Sequence, residues 1–458
     1  MFTKSKSLLL TCLGLLLLAS GCATSNIQDV SYRTTAKKIN PRVLLKTYGN
    51  IASVAYAAAL RDAKLLQISI DKFVAHPTKI NQQDAKAAWL NSRESYLQTE
   101  AFRLSNGPID ADGSVKNSIW AAKKYSLLVG GGIEGEINPW PLDENMIDYT
   151  IDAHYKRTHH NIIDTKGIFN PGGEDPKPVN VKKITAKALR ALNANGGDAN
   201  VAAGYHAIEF LLWGQDQDYH NFMADKVTHG PLVAGLRSYT DYTTAKYAKR
   251  RKAYLKVVTD LLVKDLAKVN TAWSGQAMYR KSLLGELKGK DASKNLSSKV
   301  ALKQIFIGLG TFLKSELANE RIAVAVLTPS EEDEHSCFSD NTHRDIYQNY
   351  MGAKNIIMGT YDGLDYGVSF INTLDAKTKA KMLKLMNSIE LKFDSVNSIA
   401  RVSRHFDWQI RPNDPQHIVL INLKNQLRHL GDMMVKIAKA NGIKLTTSDV
   451  TDPDETKV

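Results

Sequence analysis

PRVLLKTYGNIASVAYAAALRDAKLLQIS, residues 41–69, places Leu, Val, Ala and Tyr at alternating three- and four-residue spacings, the pattern of a helix with one apolar face. The same spacing, now including Trp, runs through residues 82–104 and returns at 255–266, 300–326, 346–359, 378–395 and 416–441. No comparable run alternates polar with β-branched residues, so sheet content should be small. Three stretches break the helices: 105–141 with Gly130-Gly131-Gly132 and Asn138-Pro139-Trp140-Pro141, 167–182 with Pro171-Gly172-Gly173, and 214–242. Long loops inside a compact unit usually build something. Each half offers roughly four long helices, the number that closes a bundle core. The expectation is an all-α chain with an N-terminal bundle over 41–242, a C-terminal bundle over 243–445, and a polar, fraying tail over 446–458.

The ends of the chain carry an address. Basic residues Lys4 and Lys6 precede an apolar run, Leu8 to Leu18, that is short for a bilayer span, and Leu18-Ala19-Ser20-Gly21-Cys22 follows. That is the shape of a bacterial lipobox. A signal peptide over 1–21 would be removed and Cys22 lipidated, leaving 22–40 as a polar tether. Ala23 rather than Asp after the cysteine points to the outer membrane of a Gram-negative host. Of three cysteines, Cys12 leaves with the signal and Cys22 is acylated, so Cys337 has no partner for an intrachain disulfide. With 43% hydrophobic residues over 458, packing alone can supply stability. The formal charge of +13 is spread along helices without a nucleic-acid-binding motif, which argues against nucleic acid and fits a basic surface near anionic lipid.

Gly204-Tyr205-His206-Ala207-Ile208-Glu209, read GxHxxE, lies inside the apolar stretch Val201 to Trp213. An imidazole and a carboxylate three residues apart on a helix share a face and can share a proton or a metal ion. Gly204 removes a side chain where another backbone can approach. A lone pair of this kind is too few ligands for a first-row metal, so further donors must come from elsewhere. Glu334, His335 and His343 are the candidates, and their mixture of imidazole and carboxylate suits iron, manganese or zinc. Glu331 to Asp333 read instead as a solvated helix cap. Glu100 and Arg103, also three apart, form a local ion pair or part of a site.

Several segments together resemble the imelysin family, in particular its branch of iron-regulated lipoproteins. They are Tyr96 to Arg103, Gly107-Pro108-Ile109-Asp110, Ile137 to Asp143, the GxHxxE helix running on to Asp216, and Glu332 to His343. The resemblance covers about 40–441. It implies two related four-helix bundles with the motif near a cleft between them, a link to bacterial iron uptake, and a peptidase label. It also places the Gly107 to Asp110 turn by the cleft, where Glu100, Arg103 and Asp110 could hold an anionic ligand such as a carboxylate-bearing iron chelate. The peptidase label fits the residues poorly, since a zincin needs HExxH or HxxEH and Phe210 follows Glu209.

The expected function is therefore that of an envelope lipoprotein of iron acquisition, binding a metal ion or metal chelate in the cleft. His206, Glu209, Glu334, His335 and His343 would be ligands, iron the metal with zinc as alternative, and an outer-membrane receptor a partner. The rivals are a metal-dependent peptidase with Glu209 as base and His206 as ligand, and a binder of an acidic organic ligand. Tyr205, Trp213 and Trp140 read as core, Cys337 as a buried inert thiol, and His154, His159 and His160 as solvent-facing positions on a polar helix.

Overall fold

Helix α1 (Pro41–Ala75) starts where the Asn40 side chain accepts from the Arg42 amide at 2.9 Å and Pro41 fills the first turn, where no amide is needed. Its inner face, from Leu44 through Tyr48, Ala52, Ala59 and Leu66 to Phe73, is buried, as the spacing requires. Helix α2 (Lys79–Tyr96) is capped by Thr78, which accepts from the Asn81 amide at 3.1 Å, and tightens into a 3-10 turn, Leu97–Phe102. The computed structural model describes residues 39–110, 133–152, 154–216, 230–330 and 333–452. Cys22, the signal segment and Gly130 to Gly132 lie outside the described residues.

Helices α3 (Gly204–Trp213) and α4 (Ala248–Trp273) complete a first group: α1 packs on α2 and α4, and α3 packs on the same two. A second group holds α5 (Ser298–Thr311), which continues as a π-helical run Phe312–Ala323, then α6 (Thr342–Met358), α7 (Ala376–Val402) and α8 (Pro415–Ala440). Here α8 packs on α5, the π run and α7, while α6 packs on α7 and on the 3-10 turn Leu97–Phe102. That turn joins the two groups, and one continuous hydrophobic core runs through both. The chain is 63% helical, and among the described residues the only strand pairs are Ile168–Phe169 with Val179–Asn180 and Thr360–Tyr361 with Leu364–Asp365, both antiparallel, so it is mainly α. The described residues from 39 to 452 form one compact unit. Helix α4 lies beyond residue 242 yet packs with α1 and α3.

Two local expectations are corrected. The segment holding His154, His159 and His160 is not helical: Ile151 bridges to Arg157, and a turn carries Tyr155 at φ 59°. All three histidines are exposed, as expected. The tail does not fray at Thr446. Gly310 leaves a socket on α5 that Val450 fills completely buried, and Lys314 donates to the Thr447 carbonyl at 3.2 Å. Among the described residues no helix is long and apolar enough to cross a membrane.

Candidate functional site

Gly204 opens α3 at φ 82°, a left-handed conformation that a side chain disfavours. A Cβ there would stand 2.6 Å from the Ile137 carbonyl oxygen and 2.7 Å from Pro139 Cδ. The bare backbone thus lets the segment 137–140 lie against the start of the helix, with Asn138 beside His335 and Trp140 lining the same void as His206 and His335. Tyr205 and Trp213 point into the core, against Trp89. Trp140 does not: it lines a cavity and donates its Nε1 proton to the Glu334 carbonyl at 3.1 Å.

Each of two histidines is tied by its Nδ1 to a buried carboxylate. His206 Nδ1 and Glu209 Oε2 are joined at 2.8 Å, and Glu209 Oε1 accepts from the Ser339 amide at 3.0 Å and hydroxyl at 2.7 Å. His335 Nδ1 and Asp345 Oδ2 are joined at 2.7 Å. Asp345 also accepts from Arg93 at 2.6 Å, from the Ser336 hydroxyl at 2.6 Å and from Asn341 at 2.8 Å. The two imidazoles meet edge to face with ring centroids 4.8 Å apart. His206 Nε2 is buried and meets no hydrogen-bond partner among the described residues. His335 Nε2 lies 3.4 Å from Asn138 Nδ2. A void of about 20 Å³, large enough for one water or one ion, sits between Trp140, Glu144, His206, His335, Cys337 and Phe338.

Burial, with Arg93 adding to it, drives the His206 pKa well below its usual value, and burial with Arg321 lowers His335 to about 4. Both rings are neutral at physiological pH, so no proton competes for their lone pairs. Burial raises Glu209 to about 8 against the pull of Ser339 and Arg93. Burial would also raise Asp345, yet Arg93 and His335 hold it far below the carboxylate range.

Beyond His335 and Trp140 the site opens into a cavity of about 370 Å³, whose charged wall comes from Arg103, Glu134, Glu316 and Arg321. The π run places Glu316 and Arg321 there, and such helices often mark functional sites. Glu100 lies behind this wall. It accepts from Tyr96 at 2.9 Å, pairs with Arg321, and sits 3.5 Å from Arg103. Burial opposes its charge, but Arg321 and Arg103 outweigh that and keep the carboxyl below its usual value. Burial raises Glu134 to about 7, against Arg103.

The structure thus gathers His206, Glu209, His335, Glu100 and Arg103 around one centre. Glu334, although adjacent to His335, directs its carboxylate to Asp407 instead. His343 is buried on the first turn of α6, outside the cavity lining, with burial and Arg344 lowering it to about 3. Asp110 accepts from the Ser105 amide at 3.1 Å and serves the turn rather than the cavity lining. Sequence reading missed Arg93, Asp345, Ser339, Arg321 and Glu316. One signal was available: Arg93 occupies a position of the buried stripe Trp89, Arg93, Tyr96, where an unpaired cation is not tolerated. Among the described residues, no third His, Cys, Asp or Glu ligand atom converges on the His206 and His335 pair within 4.8 Å.

The comparisons with known proteins agree with this geometry at the level of fold and family. Iron-regulated protein A of Synechococcus elongatus is 23% identical over 353 residues, covering 76% of this chain and 70% of that protein. A crystal structure from Parabacteroides distasonis, of a protein provisionally named an iron-regulated protein A precursor, superposes with a TM-score of 0.57 at 15% identity. It covers 88% of this chain and 96% of that one, and so shares its fold. The imelysin family model matches residues 52–434, which include every site residue named above. The chain belongs to the imelysin family.

Proposed function

We propose that this protein serves bacterial iron acquisition by capturing an iron chelate, with His206 and His335 donating to the metal and Arg103 and Arg321 meeting the anionic arms of the chelator. The observation that carries the reading is His206 Nε2, a buried nitrogen on a neutral ring with no hydrogen-bond partner among the described residues, facing an ion-sized void. Glu209 then acts through His206 rather than as a ligand. A metal on Nε2 would displace the proton that burial keeps on Glu209 at neutral pH, and the resulting carboxylate, accepting from Nδ1, fixes the ring and raises the basicity of Nε2, as in many metal-ligating histidines. Asp345 does the same for His335. Two imidazoles are too few for a bare ion, which favours a chelate that brings its own oxygen donors, and the larger cavity has room for them. The iron link is drawn from the relatives' names.

A peptidase role draws less support from the site. Both Glu209 oxygens are engaged, by His206 and by Ser339, so a general base would have to break a buried hydrogen bond before it reached water. The test is titration calorimetry of the full chain with iron(III) citrate. His206→Ala and His335→Ala should each abolish binding while His343→Ala retains it. Equal binding by parent and His206→Ala would overturn the proposal.

We further propose that the chain is anchored through lipidated Cys22, as the segment before it suggests. Cys22→Ala should shift the protein from the membrane pellet to the soluble fraction on cell fractionation, and an unchanged distribution would dismiss the anchor.

A further inference from the structure

Glu334 and Asp340 flank His335 and Ser339 in the loop 333–341, yet they reach different partners. His335 and Ser339 serve the imidazole site, through Asp345 and Glu209. Asp340 and Glu334 reach His405 and Asp407, at the entrance of the short helix Phe406–Gln409. His405 Nδ1 lies 3.3 Å from Asp407 Oδ2 and 3.8 Å from Asp340 Oδ1. One ligand atom from each of Asp340, His405 and Asp407 falls within 4.8 Å of the other two, and all three side chains are buried. The Glu334 carboxylate contacts Asp407 and is equally buried.

Three carboxylates and one imidazole therefore share a dry interior. Ionised carboxylates are acceptors only, so two in contact require a proton or a cation between them. Asp407 is met by the His405 imidazole and the Glu334 carboxyl. Donors about 2.0–2.2 Å from a metal stand roughly 3–4 Å apart, the range of the two separations around His405 Nδ1. A nitrogen among oxygens suits manganese(II), iron(II) or zinc better than calcium or magnesium, which take oxygen alone. We propose that Asp340, His405 and Asp407, joined by Glu334, bind a first-row divalent cation that pins the loop carrying His335 and Ser339. This second site is independent of the chelate reading, because none of its ligands lines either void described above.

The test strips the full-length protein with a chelator, reloads it with manganese(II), desalts it, and counts bound metal by mass spectrometry. His206→Ala silences the first site and should retain one equivalent of manganese, with a single imidazole nitrogen coupling in pulsed electron paramagnetic resonance. Adding Asp407→Asn should remove that equivalent. Retention of a full equivalent by the double variant would overturn the proposal, as would a His206→Ala protein that holds no manganese or shows no nitrogen coupling. The coupling is read in His206→Ala itself and decides the matter even if Asp407→Asn does not fold. Should the carboxylates share a proton instead, no manganese is retained and the site is refuted. Failure of citrate binding at His206 leaves all these outcomes unchanged, so the two proposals fall separately.

Discussion

At the scale of single residues, Asp148 shows how a buried charge is answered. Asp148, hardly exposed, accepts from Arg237 at 2.5 Å, from Arg251 at 2.6 Å and 3.0 Å, and from the Tyr149 amide at 2.9 Å. Burial pushes its pKa up, but Arg237 and Arg251 outweigh burial and leave it below the usual 3.8. Because the folded value is depressed, ionised Asp148 adds stability that is fully present above about pH 4, and this is lost as pH falls through the folded pKa. Asp148→Asn leaves Arg251 without a carboxylate and Arg237 with Asp241 alone, and should cost about 3–5 kcal/mol at pH 7. That deficit should shrink in urea melts taken below pH 4, where the parent loses the same charge. A deficit constant with pH would mean that packing, not charge, holds the aspartate. The same rule explains what sequence reading could not see at the site. Asp345 reads in one dimension as an acidic residue in the first turn of a helix, and only the fold shows that Arg93, 252 positions away, makes it the acceptor that orients His335.

Individual elements were more legible than their partners. The periodic runs became helices, though 255–266 and 378–395 extend to 248–273 and 376–402, because an apolar face needs only its own spacing to declare itself. The π run was not legible: residues 312–323 carry an ordinary helical pattern, and the extra residue per turn that presents Glu316 and Arg321 to the cavity has no signature in spacing. Gly204 is the case where a sequence argument about an element proves geometrically right. It begins α3 at positive φ with the Ile137 carbonyl where a Cβ would go. Gly204→Ala should cost at least about 1–2 kcal/mol from the backbone conformation alone. The clash should also push the segment 137–140 off the helix, carrying Asn138 and Trp140 from the two histidines. The expected readings are a lower denaturation midpoint and loss of iron(III) citrate binding together. A variant that is destabilised but binds as tightly as the parent would separate the glycine from the site.

For the molecule as a whole, a count of helices per half suggests a boundary near residue 242, because a chain gives no indication of which helix fills which groove. Packing groups the helices differently. Helix α4, residues 248–273, buries Tyr254, Leu255, Val258, Leu262 and Leu266 against α1 and its neighbours, and Tyr254 donates to the Ala202 carbonyl at 3.0 Å just before the GxHxxE helix. A fragment ending at 242 would expose that face of α1 and leave α3 covered on one side only. Each large apolar side chain so exposed forfeits about 1.5–3 kcal/mol, and a handful of them exceeds the 5–15 kcal/mol that holds a typical domain. Residues 41–242 expressed alone should therefore lack a cooperative thermal transition and be digested rapidly by trypsin. Residues 41–285, which restore α4 and the short helix Met278–Leu284 beside it, should regain much of the helical circular dichroism. They should still fail to bind iron(III) citrate, since His335 and Arg321 come from beyond the cut. A cooperative melt from 41–242 would show that the first half closes its own core and that α4 is an addition to it.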